Sequence, residues 1–368
     1  MRIVVVGAGV LGASTAYHLA RAGAEVVLAD RADVGRATAA GAGIVAPWPS
    51  RVDNPDWYRL AAAGARDYPH LVARLGEDGQ GDAGYARVGA LSVSTDPAHL
   101  DWVERRARQR QAEAPEMGAV SRLAPHEARA LFPPLREDLA AVHIEGAARI
   151  DGRLLAAALA GGAQARGARV VHGDARLLAS GDRIRGIRID GAPVEADAVV
   201  VAAGAWAPAL LAPVGVRLAV EPQRGQILHL HLPGVETDAW PVVLPQSRHY
   251  MLAFGGSRIV AGATRETGSG FDHRVTAAGQ WEVLRETLSV APGLGGATLL
   301  ETRVGFRPKG PGMKPMLGRV PGLDGLVIGN GLGASGLTIG PYAGRLLADV
   351  ALGRSPEVDL APYDPLRG

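Results

Sequence analysis

The chain contains no cysteine. Disulfides, thiolate metal centres and a cysteine nucleophile are therefore excluded, and a cytoplasmic location is the expectation. Long apolar runs are also absent. No uninterrupted stretch reaches the roughly 18–20 residues of a membrane span. The apolar run after Met1-Arg2 superficially resembles a signal peptide, but glycines interrupt it and the chain needs it as a core strand. There is no Lys/Arg-rich block, and basic residues exceed acidic ones by only two. The pI of about 9.1 follows from a few charges near neutrality, so a nucleic-acid partner is not expected. No internal repeat or low-complexity linker occurs. What remains is an ordinary globular composition, 368 residues with 47% hydrophobic and 21% charged. That length suggests two domains.

The most informative stretch is near the start. Ile3-Val-Val-Val runs into Gly7-Ala8-Gly9-Val10-Leu11-Gly12, and a second apolar run, Glu25-Val-Val-Leu-Ala-Asp30, ends in an acid. This reads as strand, glycine turn, helix and strand. Gly7 permits the tight turn, Gly9 lets the backbone approach a pyrophosphate, and Gly12 lets helix and sheet pack closely. Free N–H groups and the positive dipole end at the helix start suit phosphates. Asp30 lies 18 residues after Gly12, where a carboxylate can accept hydrogen bonds from a ribose. The motif indicates a dinucleotide, NAD or FAD.

The rest of the pattern gives the organisation. Helices are expected at 11–22, 55–75, 99–114, 125–132, 151–166, 277–291 and 341–352. Ala168 to His172, Arg183 to Ile189, Asp197 to Ala203 and Leu326 to Gly329 read as strands. Residues 223–232 alternate, and 248–254 with 257–264 read as a hairpin joined by Gly255-Gly256. Buried, parallel-type strands thus occur at the start, middle and end, with alternating strands between them. The expected fold is α/β. A Rossmann-like cofactor domain of discontinuous segments (1–80, 145–215 and 305–368) carries an inserted α+β substrate domain (81–144 and 216–304) built on a mainly antiparallel sheet.

Glycines follow three of the apolar strands, at Gly7, Gly204 and Gly331. An NAD domain is usually one contiguous block. A chain that returns at its C-terminus to form another glycine loop is characteristic of FAD-binding folds. The order of motifs resembles the D-amino acid oxidase / glycine oxidase / sarcosine oxidase family of FAD-dependent oxidoreductases. The matching stretches are VVVGAGVLGASTAYHLARAG (4–23), TAAGAGIVAPW (38–48), DAVVVAAGAW (197–206), HYMLAF with RIVAGAT (249–264), GFRPKGPGMKPMLGR (305–319) and GLVIGNGLGASGLTIGP (325–341).

The resemblance implies FAD, held without a covalent link since no cysteine is available for one. Gly7, Gly9, Val10, Leu11, Gly12 and Asp30 would hold the ADP half. Arg31 and the segment Thr38, Ala39, Ala42, Gly43 and Ile44 would run along the pyrophosphate and flavin. Ala175 matches a position whose backbone meets the adenine. Ala203, Gly204 and Trp206, at the end of the middle strand, would also bind the cofactor. Gly333, Ala334, Ser335, Gly336, Leu337 and Thr338 would bring N–H groups to the flavin N1/C2 carbonyl. Arg307, counted among the cofactor-binding positions as well, matches the arginine that grips the substrate carboxylate, and Tyr250 a tyrosine bonded to the same carboxylate. Trp48 would line the pocket where the flavin-facing loop enters.

Beside these, Arg51 and Lys314 are weaker candidates for polar contacts. His249 should point away from Tyr250 into solvent, since strand side chains alternate. His229 and His231 lack further metal ligands nearby in sequence and read as surface residues; no metal is expected. Two departures from the family pattern leave the substrate open. Ala253-Phe254 stands where glycine oxidases carry Pro-Arg, and the loop Leu332-Gly333-Ala334 is unusually apolar. The implied activity is oxidation of a small amino acid (a D-amino acid, glycine, sarcosine or D-proline type) to an imino acid and then a 2-oxo acid. Oxygen or another acceptor takes the electrons. A flavin-carrying subunit of an amine dehydrogenase complex and an NAD-dependent dehydrogenase are the alternatives, and homo-oligomer formation is left open.

Overall fold

A computed structural model describes residues 1–367. The apolar runs assemble into a six-stranded sheet in the order Met316–Arg319, Leu326–Asn330, Ala198–Val201, Arg2–Val6, Glu25–Asp30, Arg169–His172. All neighbours are parallel except the edge strand Met316–Arg319. In the register Val5 lies beside both Val200 and Leu28. Both faces are covered, which explains the continuous rather than alternating hydrophobicity. Ile3 and Val5 face the core beneath the helices Val10–Arg21, Gly152–Ala165 and Gly336–Ala351. Val4, Val6, Val199 and Val201 face Ile184, Ile187 and Ile189 of a three-stranded antiparallel sheet, Ala175–Ser180, Arg183–Ile189 and Ala192–Glu195.

The second layer is a nine-stranded mixed sheet built from residues 90–144 and 221–309. Its backbone is the long antiparallel pair Glu221–His231 and Thr298–Lys309, running from Glu221 opposite Lys309 to His231 opposite Thr298. The strand Thr298–Lys309 runs through the boundary drawn at 305, so Arg307 projects from this larger sheet. The hairpin Tyr250–Phe254 and Arg258–Gly262 lies beside it, with Phe254 opposite Arg258. Helix Ala277–Val290 covers one face through Val283, against Leu228, Leu230 and Ala261. No helix among the described residues is long and apolar enough to cross a membrane.

Two expectations need correction. The last helix starts at Gly336, five residues ahead of the expected 341. Proline lacks the N–H that would bond the carbonyl of Leu337, four residues earlier. The buried Tyr68 hydroxyl donates to that carbonyl instead, so the helix continues through the proline. His229 is not a surface residue: it is 2% exposed, with neither ring nitrogen bonded. Burial lowers its pKa to about 4, helped by the positive charge of Arg303, so the ring is neutral. Its strand has partners on both edges and packing on both faces, and this buries positions that alternation assigns to solvent. His231 on the same face is partly exposed.

Candidate active site

A cavity of about 680 Å³ runs between the two layers, along the carboxyl ends of the parallel strands. Ligand crevices of α/β sheets lie at such strand ends. At one end the strand Arg2–Val6 turns through Gly7 into helix Val10–Arg21. Gly7 sits at φ 105°, and a Cβ there would lie 2.5 Å from the Ala202 carbonyl oxygen. The N-cap Gly9 offers no side chain to the helix's first N–H groups, and no acid occupies the first turn. Thr38 Oγ1 accepts from Val10 N at 3.0 Å, tying the glycine turn to the loop that follows.

Asp30 organises this end. One carboxylate oxygen accepts from Ala8 N at 2.6 Å; the other accepts from Ala32 N at 2.6 Å and from Arg36 at 3.3 Å. The acid expected to meet a ribose braces the glycine turn. Arg31 lines the cavity but is held by Asp33 and Asp174, each at 2.9 Å. Ala175, Ala203, Gly204 and Trp206 line the cavity as well. Asn330, 1% exposed, bridges two glycine loops: its Nδ2 donates to the Gly204 carbonyl at 2.9 Å, and its Oδ1 accepts from Gly331 N at 2.8 Å.

A second helix start lies beside the first. Gly333, Ala334, Gly336 and Leu337 line the cavity, and helix Gly336–Ala351 also begins without a side-chain cap. Two uncapped helix N-termini therefore serve one elongated cavity. Packed side by side, with Gly340 against Val10, they offer partial positive charge along the cavity, which suits a molecule with a diphosphate and a ring that is anionic when reduced. Ser335 and Thr338 lie behind this wall. Ser335 Oγ accepts from Trp57 Nε1 at 3.0 Å, and Thr338 Oγ1 donates to the Ile44 carbonyl at 2.9 Å. Ala39 and Gly12 likewise support the lining rather than form it. The Ala39 carbonyl accepts from Arg153 Nε at 3.0 Å. Val10, Leu11, Thr38, Ala42, Gly43 and Ile44 all face the cavity.

Arg307, Tyr250 and Arg265 also line the cavity. Arg307 leans along its strand to lie over Gly225, where an added Cβ would sit 2.5 Å from both terminal guanidinium nitrogens. Its Nη1 donates to the Thr264 carbonyl at 3.0 Å. Arg265, one residue beyond, joins Arg307 from the segment that follows strand Arg258–Gly262. Among the described residues neither arginine forms a salt bridge within 4.0 Å with a carboxylate, in a protein where most arginines do. Burial raises the Tyr250 pKa, and Arg307 and Arg265 partly offset this. The phenol stays protonated at neutral pH. Burial lowers the Arg265 pKa, reinforced by the like charge of Arg307.

Several sequence candidates lie elsewhere. Trp48 is 1% exposed and packs in the main core outside the cavity lining. Arg110 Nη1 donates to its carbonyl at 2.7 Å, and Arg106 Nε donates to the Ser50 carbonyl at 2.8 Å; these bonds draw the 47–53 loop toward helix Pro97–Gln111. Arg51 donates to the Gln246 carbonyl at 2.8 Å, and Lys314 pairs with Asp56 at 2.9 Å. His249 is not solvated: it packs against helix Ala277–Val290, its Nε2 3.3 Å from Glu282. Among the described residues no group of three or more His, Asp or Glu side chains could hold a metal.

A cofactor sheet, two glycine-lined helix starts and a cationic pocket on a second sheet define a flavin-dependent oxidoreductase. The model of the FAD-dependent oxidoreductase family matches residues 2–350, and the chain belongs to that family and uses FAD. The NAD reading is thereby set aside. An uncharacterized oxidoreductase YurR of Bacillus subtilis is 51% identical over 98% of both chains. A glycine oxidase of Pseudomonas aeruginosa is 33% identical, over 99% of this chain and 98% of its own. The crystal structure of an iminodiacetate oxidase from Chelativorans sp. BNC1 matches over the full length of both chains, at 54% identity and a TM-score of 0.97.

Proposed function

We propose that this enzyme oxidises the C–N bond of a small amino acid or N-substituted glycine, yielding an imino acid that water hydrolyses to a 2-oxo acid and an amine or ammonia. One observation carries the reading: two arginines and a tyrosine line the same cavity, and among the described residues neither arginine has a carboxylate partner. Arg307 is half-buried and Arg265 exposed on the cavity lining, so both guanidiniums are open to a ligand's carboxylate. Arg307 would take one substrate carboxylate. Arg265 beside it would share that carboxylate or take a second one. The similarity to an iminodiacetate oxidase, whose name denotes a secondary amine with two carboxylates, supports this arrangement.

Bound FAD supplies the hydride acceptor. The chain's own residues position the substrate. Arg307 fixes the carboxylate bidentately, Tyr250 adds a neutral hydrogen-bonding hydroxyl, and the apolar wall keeps water from the reacting carbon. An amine that arrives deprotonated needs no protein base.

Anaerobic mixing of the yellow holoprotein with sarcosine, iminodiacetate, glycine, D-proline and other D- and L-amino acids tests the proposal. Bleaching of the flavin by one of the carboxylate-bearing amines is expected, and re-admitted air separates oxidase from dehydrogenase. If none of these substrates bleaches it, the proposal fails. Gly225→Ala gives a second test. The new methyl group would displace the movable end of Arg307 rather than the backbone. We expect a KM raised about tenfold or more with flavin content unchanged. An unaltered KM would show that the guanidinium does not work from over Gly225.

A further inference from the structure

Glu266 follows Arg265 in sequence but forms no pair with it. Its carboxylate is turned away from the cavity and fully engaged. One oxygen accepts from Thr264 Oγ1 at 2.7 Å and Gln226 Nε2 at 2.8 Å, and the other from Arg224 Nε at 2.9 Å. Thr264 and Gln226 are completely buried and Arg224 nearly so. Thr264 Oγ1 also accepts from Gln226 N at 2.9 Å. Arg224 has a second anchor in Asp272, at 2.9 Å, and Gln226 Oε1 accepts from Thr276 N at 3.0 Å. The cluster therefore staples the segment from Thr264 to Thr276 onto strand Glu221–His231.

The same staple reaches the cavity twice. The Thr264 carbonyl receives Arg307 Nη1, and the next residue is Arg265. We propose that Glu266 is the positioning residue of the substrate site: through Thr264 it sets where both arginines stand. This rests on the carboxylate-binding role of those arginines. Every group pointing at Glu266 is a donor, so a glutamine there would put its own NH2 against one of them. Arg224 would keep Asp272, so the fold retains its charge balance.

The test uses holoenzyme variants Glu266→Gln, Thr264→Val and Thr264→Ser. Acetate is titrated against the flavin spectrum, and KM and kcat are measured on a substrate identified by the screen. Losing one charge-assisted bond in a buried cluster leads us to expect acetate affinity and KM to worsen about tenfold in Glu266→Gln and Thr264→Val, with kcat within about twofold. Thr264→Ser keeps the hydroxyl and should behave as the parent. Parent-like acetate affinity and KM in folded Glu266→Gln would overturn the proposal. So would a lowered melting temperature with an unchanged KM, the mark of a purely structural role. Arg307→Ala separates the two ideas. If it too leaves acetate binding intact, the carboxylate reading fails. If it alone abolishes binding, only the positioning role of Glu266 fails.

Discussion

Arg307→Ala should lower kcat/KM toward carboxylate-bearing amines by two to three orders of magnitude while the protein stays yellow. Truncating one partner of a buried, hydrogen-bonded charge pair costs roughly 2–5 kcal/mol, and each 1.4 kcal/mol is about tenfold. The loss should fall on KM first. A substrate without its carboxylate anchor also loses the orientation that aims its carbon at the flavin, so kcat should drop as well. Arg307→Lys should recover only part of the loss, because an ammonium cannot reproduce the planar fork. FAD should stay bound, since the bonds that hold Asp30 and the glycine turn, Ala8 N to Asp30 and Val10 N to Thr38, do not involve this side chain. Steady-state kinetics with a flavin-to-protein absorbance ratio checks both halves. Unchanged kinetics, or a colourless protein, would each contradict the assignment.

The parts legible in the sequence are those where one residue type has one local reason. The glycine turn at Gly7, Gly9 and Gly12, the acid Asp30 and the all-apolar strands are specified by backbone geometry within a few residues. Arg307 and Tyr250 were reached through resemblance and stand on the cavity. What escaped was long-range. Gly225 has no local reason to be glycine, and its role appears only when a guanidinium from the neighbouring strand rests on it. Arg265 stands one residue past the quoted RIVAGAT stretch, which assigns it nothing, and its place beside Arg307 on the cavity shows only once the distant strands are paired. Asn330 lay inside a stretch already quoted, yet its bridge to Gly204 needs both loops in place. Trp48 fails for the opposite reason. Its position matched a pocket-lining place, but Arg106 and Arg110 hold the surrounding backbone against another helix. Carry-over by position assumes that neighbours match too, and arginines bonding to carbonyls leave no recognisable spacing.

Gly12→Val should yield largely colourless protein, with FAD affinity lowered on the order of a hundredfold or more. A Cβ at residue 12 would sit 1.8 Å from the Gly7 carbonyl oxygen, far inside contact distance. The helix must move off the turn, for the turn cannot yield: Gly7 already lies against the Ala202 carbonyl. Overpacking of this kind costs about 1–3 kcal/mol or somewhat more. That is within reach of a typical stability of roughly 5–15 kcal/mol, so much of the chain should still fold. The ligand suffers more. Moving the helix start withdraws several N–H groups from the phosphates at once, and bonds to charged groups are worth about 1.5–3 kcal/mol each. Fluorescence titration of apoprotein with FAD, beside circular dichroism to confirm folding, measures the effect. A folded Gly12→Val protein that binds FAD like the parent would show that the glycine turn is only a packing device. Set against Arg307→Ala, the pair divides the cavity: one variant should lose the cofactor with the substrate arginines intact, and the other should keep the cofactor and lose the substrate.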